Sequence, residues 1–144
     1  MNKLYLLCEL NDEDYAYAKY SFYKSFEETV QAAIDTCKEW NENCEVEIED
    51  EGWRITARCC DSFYVTEIKK ICPENGEYIL VWHHGYEGVD FEVRHQGTYE
   101  ECEKKMSKEI QDLFNDLKLT NEDIHGNIID TGNEWETFDI VKIE

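Results

Sequence analysis

Basic residues are scarce in this chain. Its 144 residues include 14 lysines and arginines against 34 aspartates and glutamates, which gives a formal net charge of -20 at pH 7. A surface of that sign repels nucleic acid and anionic membranes and attracts basic molecules. We therefore expect no direct binding to DNA, RNA or a membrane, and we favour a basic, nucleic-acid-binding protein as the partner.

Long apolar runs and a secretory pattern are also missing. No stretch approaches the ~20 apolar residues of a membrane span. The opening MNKLYLLCELNDED has a run of four apolar residues before Cys8 and then turns acidic, which is unlike a signal peptide. The seven cysteines are odd in number and show no repeated C-x-x-C, so we expect reduced thiols in a cytoplasmic protein.

Catalytic signatures are lacking as well. The sequence contains neither G-x-S-x-G nor a glycine-rich phosphate loop, and it has only seven glycines. A nucleophilic Cys or Ser would need a nearby His and a third group, and the sequence does not single out such a set. With 34 carboxylates, acid pairs suited to glycoside cleavage occur by number alone. We therefore expect no enzyme activity and no cofactor.

A metal site is the first alternative to weigh. Suitable ligand types are present at Cys59, Cys60, Cys72, His83 and His84. Zinc sites usually show paired ligands two to four residues apart, whereas adjacent residues of a strand point to opposite faces. The pattern therefore favours buried or half-buried structural side chains, and we expect no metal.

The segment NIIDTGNEW raises a second alternative. Asp130-Thr131-Gly132 after an apolar pair resembles the active-site loop of retroviral aspartic proteases over about six residues. The chain departs from that family at Asn133, where a small residue is usual, and only 12 residues follow Gly132. Asp, Gly and Asn are turn residues, so a hairpin turn is the favoured interpretation.

Two segments have the periodicity of amphipathic helices. Apolar residues recur at three- and four-residue spacing from Phe26 to Trp40 and again from Tyr99 to Leu117. Each segment follows an N-terminal capping pattern, S-x-x-E at residues 25–28 and T-x-x-E at residues 98–101. With 13% aromatic and 42% hydrophobic residues, the chain is expected to fold around a core despite its charge.

The two helical segments indicate an internal repeat. SFEE at 25–28 matches TYEE at 98–101, and EGWRITA around Trp53 resembles NEWETFDI around Trp135. Two strand-like runs precede each helix, and SFYVTEIKKI at 62–71 is a further strand or the join between halves. We predict an α+β fold of two hairpin–helix–hairpin (ββαββ) halves packed as one compact body. The halves would span residues 1–72 and 73–144, with the boundary at the only proline, Pro73.

CEVEIEDEGW, at residues 44–53, is the most acidic part of the sequence. A two-residue turn at Glu51-Gly52 would place Glu45 and Glu49 opposite arginines of the next strand and Val46 and Ile48 on an apolar face. Three carboxylates would remain without such a partner, and these are Glu47, Asp50 and Glu51.

The distribution of acid suggests a functional class. In size and acidity the chain resembles phage-encoded DNA mimics, including many anti-CRISPR proteins, through NDED at 11–14, EVEIEDE at 45–51 and GYEGVDFE at 85–92. The resemblance implies an inhibitor that occupies the basic channel of a partner such as a CRISPR effector, in the cytoplasm of the host cell if the protein is phage-encoded. Same-face carboxylates of a strand lie roughly 6.6 Å apart, near the through-space phosphate step. The expected contacts are Asp12, Glu13, Asp14, Glu47, Asp50, Glu51, Glu87, Asp90 and Glu92.

A second function class stays open. An acidic adaptor or regulatory domain would bind another protein without imitating nucleic acid, and the tyrosines between residues 15 and 23 suit such an interface. A net charge of -20 exceeds the magnitude of about 2–8 that serves solubility in a small domain, and this excess favours mimicry. The sequence leaves the oligomeric state open.

Overall fold

The chain divides into two compact units, Met1–Pro73 and Glu74–Glu144. The computed structural model describes residues 3–11, 17–59, 61–85, 89–125, 128–132 and 135–144. Within this part of the chain, each unit contains one long α-helix and one five-stranded antiparallel sheet. The α+β class, with two antiparallel sheets and two main helices, is thereby confirmed.

The first unit is a sheet with a helix across one face. Its elements are β1 (Leu4–Asn11), β2 (Lys19–Tyr23), α1 (Phe26–Trp40), β3 (Glu45–Glu49), β4 (Arg54–Cys59) and β5 (Ser62–Ile71). The strand order is β2-β1-β5-β4-β3. The last strand of the unit therefore lies in the centre, and β3 lies at one edge.

The second unit has the same order of elements. These are β6 (Tyr78–Gly85), β7 (Asp90–Gly97), α2 (Tyr99–Leu117), β8 (Ile124–His125), β9 (Ile128–Asp130) and β10 (Trp135–Lys142). The strand order β7-β6-β10-β9-β8 again places the last strand in the centre. The edge strand that follows the helix, β8, has only two residues.

Each unit has one strand more than the predicted ββαββ pattern. The segment 62–71, expected as a further strand or a join, is the ten-residue central strand β5. The predicted equivalence of Trp53 and Trp135 is wrong, because Trp53 precedes β4 whereas Trp135 begins β10, the counterpart of β5. The prediction compared two tryptophans that each lie beside a turn, which is a local similarity of sequence. Equivalent positions are decided by strand order, and strand order depends on pairing between distant segments.

The helix α1 begins and packs as its sequence predicts. The Ser25 hydroxyl accepts a hydrogen bond from the Glu28 amide at 3.1 Å, which satisfies a free donor of the first turn. The buried residues of α1 are Thr29, Ala33 and Cys37. Its apolar stripe packs against side chains of β1, β4 and β5 to form the core of the unit. The buried members of this core are Leu7, Ala33, Cys37, Ile55, Ala57, Tyr64 and Ile68.

The helix α2 carries the complete capping box. The Thr98 side chain accepts from the Glu101 amide, and the Glu101 carboxylate accepts from the Thr98 amide. The helix ends at Lys118, whose φ of 55° is left-handed. Cys102 is the one buried residue of this 19-residue helix, whereas the 15-residue α1 has three.

Candidate functional site

The hairpin β3–β4 has the register that the sequence predicts. Val46 lies opposite Ala57, Glu47 opposite Thr56 and Ile48 opposite Ile55, with no shift along the pair. Paired residues of an antiparallel ladder project to the same face. Since Ile55 and Ala57 face α1, the three glutamates of β3 project from the face opposite the helix.

A tight turn connects the two strands. The Trp53 amide donates to the Asp50 carbonyl at 3.1 Å across Glu51 and Gly52. Glu51 and Gly52 have φ values of 57° and 103°, as a hairpin turn with two left-handed central residues requires. Asp50 is also left-handed, with φ 51°. The backbone thus holds both turn carboxylates out at the end of the hairpin, where both are exposed.

Gly52 fixes the turn against α1. A Cβ at this position would lie 3.2 Å from the Val30 side chain, in addition to the strain of its positive φ. The neighbouring Trp53 ring packs 4.5 Å from the Phe26 ring and 6.3 Å from the Tyr5 ring, between centroids. The acidic turn is therefore held by aromatic contacts to the start of the helix.

Arginine neutralises only part of the acid on this hairpin. Arg54 lies 3.4 Å from Glu49 and 2.6 Å from the buried Glu67, so one guanidinium serves two carboxylates. Glu45 lies opposite Arg58 in the register. Within the described residues, no ion pair involves the three carboxylates that the sequence singled out, which are Glu47, Asp50 and Glu51.

The acidic segment extends along α1 to the end of the hairpin. Residues 27–51 contain ten carboxylates and a single basic residue, Lys38. Five of these carboxylates, Glu27, Glu28, Asp35, Glu39 and Glu42, lie in α1 or just after it, and α1 covers the other face of the sheet. The remaining five lie on β3 and its turn, and we call them the β3 acidic row: Glu45, Glu47, Glu49, Asp50 and Glu51. The corresponding segment of the second unit, residues 100–125, carries eight carboxylates and four lysines. The segment of the first unit thus has ten carboxylates to one lysine, whereas that of the second unit has two carboxylates for each lysine.

Two of the predicted contacts in the second unit already engage a basic side chain. The Asp90 carboxylate lies 2.8 Å from Nε2 of His84, within hydrogen-bonding distance, and Glu92 lies 3.2 Å from Arg94. Both carboxylates are nevertheless more than half exposed. The structure places them on β7, in a different unit from Glu47, Asp50 and Glu51.

Four predicted contacts lie outside the described residues. They are Asp12, Glu13 and Asp14, which follow β1, and Glu87, which precedes β7. Across the strand register, Asn11 at the end of β1 lies level with Val46, near the start of β3. The turn at Asp50 follows the other end of β3. The described end of β1 and the turn at Asp50 therefore lie at opposite ends of the sheet.

The Asp130-Thr131-Gly132 segment forms a turn. The Gly132 amide donates to the Asp130 carboxylate at 2.8 Å, and Gly132 has φ 94°. Asp130 pairs with Trp135 in the β9–β10 ladder. This Asx-type geometry confirms the turn interpretation of D-T-G.

The cysteines and histidines are dispersed over the fold. His83 is buried and His84 half-buried on opposite faces of β6, as their adjacency predicts. Burial raises the pKa of the Cys37 thiol to about 12, so this thiol is protonated at neutral pH and is a poor nucleophile. Among the described residues, no three Cys, His, Asp or Glu side chains are grouped for a metal ion.

The chain matches no protein-family model, no curated protein and no solved structure. Of the helices in the described ranges, none is both long and apolar enough to span a bilayer.

Proposed function

We propose that the β3 acidic row binds the basic nucleic-acid-binding surface of another protein and inhibits it in place of DNA or RNA. The observation that supports the proposal is the row formed by Glu45, Glu47 and Glu49. These carboxylates project from one face of a single regular strand and span roughly 13 Å from first to last. The exposed Asp50 and Glu51 continue the row into the turn.

Rigidity makes this row suitable for mimicry. A phosphate backbone presents its charges at fixed spacing, so a competitor must hold carboxylates at fixed spacing as well. Cross-strand pairing with β4 and the packing of Trp53 on Phe26 provide that order. Arginines that normally donate to phosphate can donate to carboxylates in the same bidentate manner. A CRISPR effector, with its basic channels, is a partner of the required chemistry.

Competition tests this proposal directly. The protein is titrated into a complex between a labelled duplex and a basic DNA-binding protein, including a CRISPR effector. We expect displacement of the duplex that weakens steeply as salt rises from about 50 to 200 mM, because ion pairs carry the binding. If no candidate releases its duplex even at the lowest salt, the proposal is wrong.

A matched pair of variants separates local geometry from net charge. The first variant combines Glu47→Gln, Asp50→Asn and Glu51→Gln, and it should weaken displacement by about tenfold, since three surface ion pairs of about 0.5 kcal/mol each are lost. The control removes the same charge from the exposed face of α2, through Glu103→Gln, Asp112→Asn and Asp116→Asn. Equal weakening by both would show that total charge acts rather than the hairpin.

An acidic adaptor is the second candidate function. It is favoured by large apolar side chains exposed in the first unit, namely Tyr17 at 65%, Ile48 at 58% and Trp53 at 37%. Such side chains contribute to protein interfaces without imitating nucleic acid. An adaptor would bind its partner equally well in the presence and absence of saturating nucleic acid, whereas a mimic would not.

We also propose that the two units are copies of one ββαβββ module. The shared strand order and the shared capping at Ser25 and Thr98 support this origin. The expectation that the halves pack as one body stays a prediction. A single cooperative unfolding transition, seen alike by amides of both units, is its test.

A further inference from the structure

The strand β3 forms an open edge of the first sheet. Within the described residues it pairs with β4 alone, and it stands last in the strand order. Four of its five residues are exposed, and Val46 is half-buried. An edge strand presents backbone N–H and C=O groups that no neighbour has satisfied.

The other three edges are less suited to accept a strand. The edge strand β2 begins with a lysine, Lys19, which discourages pairing. The strand β7 has a bulge opposite the step from Leu80 to Val81, and β8 has only two residues. The strand β3 contains no lysine, proline or bulge, and its five-residue ladder is regular. Only its carboxylates limit what can pair there.

Those carboxylates exclude one occupant and favour another. If a second copy of the chain paired antiparallel about Glu47, Glu47 would face itself and Glu45 would face Glu49, and like charges directly opposite are destabilising. A strand with Lys or Arg at every second position would place a cation opposite each glutamate instead. The intervening residues would face Val46 and Ile48, and Ile48 is 58% exposed.

We propose that β3 accepts an extended segment of the partner as a sixth strand, with basic residues on one face and apolar residues on the other. This inference rests on the proposed function and adds a mode of binding to it. Backbone hydrogen bonds would provide affinity, and the alternation of charge would set the register. A basic segment without alternation, or a folded basic surface, would gain affinity from ion pairs alone, without the backbone hydrogen bonds.

Synthetic peptides provide the probe. One short peptide alternates lysine with valine, and a second has the same composition with lysines and valines in two blocks. We expect the alternating peptide to bind about fivefold or more tightly, because only it can form cross-strand pairs with β3. Equal affinity of the two peptides, or binding by neither, would overturn the proposal.

Backbone methylation tests the hydrogen bonds separately from charge. Two versions of the alternating peptide carry N-methyl groups on one or the other alternate set of amides. One set lies on the edge towards β3, so one version should lose binding while the other retains it, with amide NMR shifts confined to Glu45–Glu49 and the strand beside it. Retention by both would show side-chain attraction alone and would refute strand addition.

Protein variants locate the site and distinguish the two proposals. Glu47→Lys should weaken the alternating peptide by about tenfold, whereas Glu103→Lys on α2 should leave it nearly unchanged. Equal effects of the two variants would refute β3 as the site. Displacement of nucleic acid without any preference for the alternating peptide would refute strand addition and leave the proposed function standing. Peptide binding without displacement would refute the proposed function instead.

Discussion

The two units share a topology but differ in what lies between helix and sheet. Between α1 and its sheet, apolar side chains such as Leu7, Ile55 and Ile68 are packed with Ala33 and Cys37. Between α2 and its sheet, a guanidinium, an indole and carboxylates lie beside apolar side chains such as Leu113 and Phe138. The difference shows that the strand order does not require one kind of interface, since the same order is compatible with a mainly apolar core and with an interface that contains an ionic network.

Arg94 is at the centre of the network in the second unit. Its guanidinium lies 2.6 Å from Glu109 of α2 and 4.4 Å above the ring of Trp82. The Trp82 indole donates to Glu136 at 2.8 Å, and the His84 ring stacks on the same indole. Residues of α2 and β10 complete a cavity of about 220 Å³ beside Arg94. The helix is thus joined to the sheet by directed polar contacts.

The largest loss of stability is expected when side-chain volume is removed from the mainly apolar core between α1 and its sheet. Ile55→Ala removes a fully buried side chain from the first unit and should lower the free energy of unfolding by about 3 kcal/mol. Ile48→Ala is a matched control, since Ile48 is the cross-strand partner of Ile55 and is 58% exposed. Urea unfolding should show a loss of under about 0.5 kcal/mol for this control. Similar losses for the two variants would contradict the assigned core.

The interface between α2 and its sheet should lose stability when one member of the Arg94–Glu109 ion pair is removed. Arg94→Met keeps an apolar stem over Trp82 but leaves Glu109, whose side chain is 17% exposed, without its cation. We expect a loss of about 2 kcal/mol, measured by urea unfolding together with amide exchange in β6.

A double-mutant cycle tests the source of that loss. Adding Glu109→Gln to Arg94→Met should recover part of the stability, because the uncompensated carboxylate is removed. Lys108→Met is the control for an exposed pair, since Lys108 and Asp112 lie 3.1 Å apart at the surface. It should change stability by less than about 0.5 kcal/mol. An effect of Arg94→Met no larger than this would show that the network does not hold α2.

Local patterns predicted the first unit well. The register of β3–β4 could be derived because apolar and charged residues alternate and Glu51-Gly52 suits a two-residue turn. The start of α1 followed from Ser25, whose hydroxyl caps the helix. Each of these features depends on residues only a few positions apart, so alternation and capping patterns in the sequence are enough to predict it.

Features that depend on distant pairing could not be predicted in the same way. The segments β8 and β9, with two and three residues, are too short to show alternation. Arg94 lies at the bulge of β7 and reaches Glu109 on the helix, a contact that no sequence spacing indicates. Glu92 and Arg94, by contrast, are two residues apart, and their pairing could have been predicted from the alternation of a strand. The absence of lysine around Glu47 was visible in composition, but its position on an edge strand was not.

Two buried glutamates of the first unit allow a finer comparison within one sheet. Glu67 and Glu9 are both 8% exposed. Glu67 lies 2.6 Å from Arg54 and 3.0 Å from Lys69, whereas Glu9 accepts a hydrogen bond from the neutral Tyr64 hydroxyl at 3.1 Å. Glu67→Gln removes the charge that both cations engage, so it should lower stability at pH 7 by about 1 kcal/mol in urea unfolding.

Glu9→Gln should act in the opposite direction, by a smaller amount. Burial raises the pKa of Glu9 above its usual value, and hydrogen bonds from Tyr64 and Thr36 oppose the shift only in part. The folded state therefore holds this proton more tightly than the unfolded state, so stability is highest below the unfolded pKa of about 4.3 and falls as pH rises through the raised folded value. Glutamine keeps an acceptor for Tyr64 without that penalty. The variant should be slightly more stable than the native chain at pH 7 and equal to it at pH 4, and a loss at pH 7 would show that the Glu9 charge is compensated in the fold.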